Sequence, residues 1–123
     1  MLFRSDSRIP EHLPGLIRQV AAKQPRLVLV LGDSTNGNPG DRYGRKQADQ
    51  WWKAVHEALR PIRDAGIPIL PMPGNHDSYK PEHRAAYAAS WADLEQELAG
   101  RGLALQGKAP LNYSVDFQGV RFI

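Results

Sequence analysis

The chain has 123 residues, 41% of them apolar and 24% charged, a composition that suits one ordinary globular domain and excludes a disordered or fibrous chain. Its formal charge of +3 arises in residues 1–50, with eight Lys or Arg against five Asp or Glu, while residues 51–123 balance at eight against eight; this is too little for a dedicated nucleic-acid binder. With no cysteine there is no disulfide framework or thiolate site, so any metal falls to Asp, Asn, His or Glu, and no apolar run approaches the roughly 18–20 residues of a membrane span.

The opening Met1-Leu2-Phe3-Arg4-Ser5 is too short to act as a signal peptide, and the composition fixes no compartment. Residues 11–23 set Leu13, Leu16, Ile17 and Val20 at helical spacing, with Pro14 in the first turn, where a missing N–H costs little. The run Arg26 to Leu31, closed by Gly32, predicts a strand buried on both faces. From Lys46 to Ala65, the residues Ala48, Trp52, Val55, Leu59 and Ile62 share one helical face, with Pro61 expected to kink or split the last turn and Gly66 to cap it. Ile67 to Met72 predicts a second strand, kept short by Pro68 and Pro71, because a proline removes a ladder donor. Residues 81–99 place Tyr87, Trp91, Leu94 and Leu98 on the face of a third helix. Alternation from Leu111 to Phe117, a Gln118-Gly119 turn and the run Val120 to Ile123 predict a C-terminal hairpin.

Strands alternating with helices of this length imply an α/β fold, with βαβ units and a mostly parallel sheet. Residues 1–123 form one expected domain, and because the apolar run at Phe122-Ile123 reaches the last residue, we expect that domain to be truncated.

In an open α/β sheet, ligands collect beyond the carboxyl ends of the parallel strands. Gly32-Asp33 and Gly74-Asn75-His76-Asp77 each follow an expected strand, so both loops should face one edge and bring a carboxylate and an amide oxygen within reach of common cations. Each glycine lets the backbone turn sharply and present the next side chain.

Leu31-Gly32-Asp33 and Pro73-Gly74-Asn75-His76-Asp77 resemble the G-D and G-N-H-D blocks of the calcineurin-like metallophosphoesterases, and the closing segment from Tyr113 to Ile123 is similar to that family's hairpin. The resemblance covers nearly the whole chain. It implies the N-terminal half of an αββα sandwich and a metal-dependent hydrolysis of phosphate esters. Two divalent cations (Mn, Fe, Zn or Mg) would be held by Asp6, Asp33 as the bridging carboxylate, and Asn75. His76 would lie by the scissile phosphate as proton donor, suited by an imidazole's titration near neutral pH, and Asp77 would orient a neighbour. The family's first block, D-x-H, finds its best match in Ser5-Asp6-Ser7-Arg8. Arg8 stands where a histidine ligand is expected; it cannot ligate a metal, but its guanidinium can grip a phosphate. The family's later histidine blocks have no counterpart here, so this chain alone is expected to bind metal weakly and to be inactive.

Other residues carry plainer expectations. Asp41 to Lys46 reads as a solvated loop; His12, His56 and His83 are expected at the surface; Trp51, Trp52 and Trp91 are expected to pack helices on the sheet. Two rivals stand beside the phosphoesterase. Leu31-Gly32-Asp33-Ser34 also resembles the first block of G-D-S serine esterases, with Ser34 as nucleophile, but Gly74-Asn75-His76-Asp77 has the wrong order for their G-x-N-D block. A non-catalytic homologue that keeps the fold is the other. A P-loop is not matched, since Gly44-Arg45-Lys46 is followed by Gln47.

Overall fold

A computed structural model describes residues 11–123; Asp6 and Arg8 lie outside the described residues. The elements in chain order are α1 (Leu13–Ala22), β1 (Val28–Val30), α2 (Arg45–Asp64), β2 (Ile69–Pro71), α3 (Pro81–Ser90), α4 (Leu94–Ala99), β3 (Leu105–Lys108), β4 (Asn112–Phe117) and β5 (Val120–Phe122). Mixed helix and strand bear out the α/β class.

The parallel part is one βαβ unit. β1 and β2 pair in parallel, with Val28 opposite Ile69 and Val30 opposite Pro71, and α2 forms the crossover. The two prolines take part through their carbonyl or not at all: Val28 N–H donates to the Pro68 carbonyl, and the ladder resumes with Met72 N–H to the Val30 carbonyl, both at 2.9 Å. The Pro71 carbonyl receives the Tyr113 hydroxyl at 2.6 Å, which ties β2 to β4 of the other sheet.

The sheet is not mostly parallel. β3, β4 and β5 form a separate antiparallel meander, because the links between them are too short for a crossover. Gln118 and Gly119 join Phe117 to Val120 with φ of 53° and 80°, the doubly positive pattern of a two-residue hairpin turn. The expected hairpin is therefore present, and it gains a third strand. β3 carries no apolar alternation and has Gly107 inside it, so nothing in its sequence signals a strand.

α2 buries the expected face, Ala48, Trp52, Val55, Leu59 and Ile62, together with Trp51, and packs against both α1 and α3. Pro61 does not split it; the helix runs on to Asp64, and Ala65 N–H reaches the Pro61 carbonyl at 3.2 Å. The third helix, expected over 81–99, is two. The Ser90 hydroxyl bonds back to the Tyr87 carbonyl at 2.9 Å, a competitor for helical hydrogen bonding, and Trp91 leaves the helical region at φ −113°, ψ 22°. The break sets Trp91, Leu94 and Leu98 into the core.

β1 is also less buried than its apolar run suggests. Only three residues pair, and Leu29 and Leu31 are 39% and 72% exposed. Leu29 lines a cleft of about 600 Å³ that opens between the two sheets, with Leu70 and Tyr113 on its walls.

Candidate active site

Beyond Val30 the chain takes two consecutive left-handed residues, Gly32 at φ 81° and Asp33 at φ 51°. Aspartate tolerates this region better than most residues, and the turn lays residues 32–33 directly against Gly74. A Cβ on Gly32 would stand 2.4 Å from the Gly74 nitrogen, and one on Gly74 would stand 2.1 Å from Asp33 Oδ1. Backbone contact this close requires glycine on both sides. Parallel pairing of β1 and β2 thus brings the Asp33 and Asn75 loops to one edge, as the motif spacing predicts.

Asp77 fastens the two loops. Fully buried, its carboxylate accepts from the N–H of Ser34 (3.3 Å), Thr35 (2.8 Å) and Gly74 (2.9 Å), and from the Thr35 hydroxyl (2.8 Å). Donors aimed at both oxygens offset the cost of burying the charge. Across the same junction, His76 N–H donates to Asp33 Oδ1 at 3.1 Å.

His76 is held at one nitrogen. Its Nδ1 lies 2.6 Å from the Gly37 carbonyl; a carbonyl can only accept, so Nδ1 carries a proton and Nε2 is left for other work. Gly37 is itself wedged, since a Cβ there would meet the His76 carbonyl at 2.3 Å and His83 Nδ1 at 2.5 Å. His83, expected at the surface, is 1% exposed. It fills the space beneath Gly37, and its Nε2 lies 3.0 Å from the Tyr43 carbonyl.

The loop from Asn38 to Tyr43 is likewise anchored. Asp41 accepts from the N–H of Asn38 (2.7 Å) and Tyr43 (3.0 Å), and the Lys80 ammonium donates to the Asp41 carboxylate (2.7 Å), the Asp41 carbonyl and the Tyr43 carbonyl. Burial pushes the Asp41 carboxyl up, but the hydrogen bonds from Lys80, Asn38 and Tyr43 overcome it and hold the group below the usual carboxylate range. Asp41 is therefore a structural anchor within the stretch expected to be a solvated loop, although Arg42, Arg45 and Lys46 are exposed.

Asn75 is exposed at the rim. Its Nδ2 donates to the Tyr79 hydroxyl oxygen, which leaves Oδ1 as the end of the amide that Tyr79 does not engage. The Tyr79 and His76 rings stand at 90°, with centroids 5.4 Å apart. Ser34 is 8% exposed, and its N–H serves Asp77; among the described residues no histidine is hydrogen-bonded to its hydroxyl.

Asp33 and Asn75 offer hard oxygen donors, a set whose chemistry fits divalent cations such as Mg²⁺ or Mn²⁺. Two donors do not make a shell: among the described residues, no group of three or more His, Cys, Asp or Glu side chains is placed to hold an ion. Thr35, Gly37 and Tyr79 escaped the sequence reading. Tyr79 alone left a trace there, at four residues from Asn75; the other two act through partners about forty residues away in the chain.

Residues 8–120 match the family model described as calcineurin-like phosphoesterase. No curated protein and no solved structure matches the chain.

Proposed function

The chain belongs to the calcineurin-like phosphoesterase family, and on that premise we propose that the intact protein hydrolyses phosphate esters with divalent cations held at the strand-end loops. Asp33, Asn75 and Asp6 are the cation ligands, His76 is the proton donor, and Arg8 grips the phosphate. The observation that carries this reading is the single edge shared by the Asp33 and Asn75-His76 loops, cross-linked by the His76 N–H to Asp33 hydrogen bond and by the four donors on Asp77.

When bound, divalent cations supply Lewis acidity toward phosphoryl oxygens and bring the pKa of a water toward neutrality. The protein's own residues do the rest. Asp33 presents its carboxylate with Oδ1 oriented by the His76 amide. The Gly37 carbonyl holds the proton on His76 Nδ1, so Nε2 is the nitrogen from which a proton passes to the leaving alkoxide. Asp77 keeps the two loops in register while the phosphate is held between them. On the same family premise, the two sheets facing each other across the apolar cleft, and tied by Tyr113 and Pro71, belong to an αββα sandwich.

The test is hydrolysis of an aryl phosphate monoester and diester by the intact protein with added Mn²⁺, with and without EDTA. We expect release that EDTA abolishes and Mn²⁺ restores. Metal-independent hydrolysis of an aryl acetate, blocked by a serine-reactive reagent, would transfer the activity to Ser34.

A further inference from the structure

Tyr79 has no part in the chemistry above, yet it touches two of its members, Asn75 through its hydroxyl and His76 through its ring. We propose that Tyr79 is a positioning residue that sets the orientation of the Asn75 amide, so that Oδ1 and not Nδ2 faces the cation. This rests on the reading of Asn75 as a ligand.

The two ends of an asparagine amide are nearly equal in size, but only the oxygen can ligate a cation. An exposed amide without a fixed partner turns over and presents the wrong end part of the time. A hydroxyl can accept from Nδ2 or donate to Oδ1; here the Tyr79 hydroxyl oxygen accepts from Nδ2, the arrangement that leaves Oδ1 to a cation. A donor bond from Nδ2 also shifts electron density within the amide onto Oδ1, as outer partners do for metal ligands. The turn that carries both residues is closed by short-range bonds: Ser78 N–H reaches the Asn75 carbonyl at 3.1 Å, and the Ser78 hydroxyl reaches the Gly74 carbonyl at 2.8 Å. Tyr79 is thereby returned over Asn75, four residues on. Its ring, 42% exposed, limits rotation of the His76 imidazole from the side opposite in role to the Gly37 hydrogen bond: one fixes a nitrogen, the other the ring plane.

Tyr79→Phe separates the two contacts, because it keeps the ring beside His76 and removes only the hydroxyl. Mn²⁺ binding to the intact protein is measured by electron paramagnetic resonance of the free ion, for wild type, Tyr79→Phe and Asn75→Ala, with thermal melts of each. The expected result is Mn²⁺ affinity reduced about 10-fold in Tyr79→Phe with an unchanged melting temperature, and hydrolysis that returns toward the wild-type kcat at saturating Mn²⁺. Affinity equal to wild type in Tyr79→Phe, with affinity lost in Asn75→Ala, overturns the role of Tyr79 alone. Affinity unchanged in Asn75→Ala overturns the ligand role of Asn75 and this inference with it.

Discussion

Two regions of the molecule are held together by opposite means. Between α2 and the stretch from α3 to Trp91, Trp52 meets Tyr87 and Trp91 at ring-centroid distances of 5.3 and 6.4 Å, with His56 4.5 Å from Trp91 and the Arg63 guanidinium over its ring. At the strand ends, a single carboxylate gathers three backbone N–H groups and a hydroxyl, and glycine backbones pack too closely to admit a methyl group. The aromatic layer gains from area, and its energy varies smoothly with shape. The loop junction gains from hydrogen bonds of fixed direction, so loss of one partner strands the others. Stability and site geometry should therefore fail separately.

The largest effect on folding is expected in the aromatic layer. Trp52→Ala should cost about 3–5 kcal/mol, read as a lowered denaturation midpoint, while Mn²⁺ affinity of the protein that remains folded stays near wild type. An affinity loss in step with the stability loss would show that the two regions are one unit. Asp77→Ala should come next, at about 2–4 kcal/mol, since it leaves the N–H groups of Ser34, Thr35 and Gly74 without their acceptor. Here the loops should separate first: hydrogen exchange at residues 33–35 and 74–77 should accelerate more than exchange in α2. Uniform acceleration across both would contradict the proposed division.

The smallest effect sharpens the comparison through pH. Burial among the aromatic rings, together with the Arg63 charge, pulls the His56 imidazole down to about 4. The folded state thus resists a proton that the unfolded state accepts, and the stability present above pH 6.5 declines as the pH falls from 6.5 toward 4. Allowing for partial solvent screening, the loss should be about 1–2 kcal/mol. His56→Phe should flatten thermal stability over that window, because it removes the titrating group and keeps a ring between Trp52 and Trp91. A pH slope unchanged by that substitution would place the titrating group elsewhere.

The parts of the fold written in local periodicity were readable from the sequence. The buried face of α2 follows from its helical spacing, the βαβ unit from two apolar runs around it, and the β4–β5 turn from Gln118-Gly119. Where tertiary contact decides, the reading stopped short. β3 exists by pairing with β4, the helix break at Trp91 follows the aromatic core, and His83 is buried because Gly37, forty-six residues earlier, has no side chain to exclude it. The site divides in the same way. Asp33, Asn75, His76 and Asp77 announced themselves as motif residues, and the shared edge followed from strand parity. The Gly37 carbonyl and the Thr35 hydroxyl, which hold His76 and Asp77, carry no motif of their own.

The most direct test of the account compares Asp33→Asn with Ser34→Ala in Mn²⁺-dependent aryl phosphate hydrolysis by the intact protein. Asparagine suits the left-handed backbone at position 33 and keeps an acceptor for the His76 N–H, so the substitution removes the charge with little change of fold. The account predicts that Asp33→Asn loses at least about 100-fold in activity, beyond the 10–100-fold typical of an outer partner of a metal ligand, while Ser34→Ala retains most of it. Full activity in Asp33→Asn, or its loss in Ser34→Ala alone, would contradict the claim that the strand-end loops form a metal-dependent phosphoesterase site.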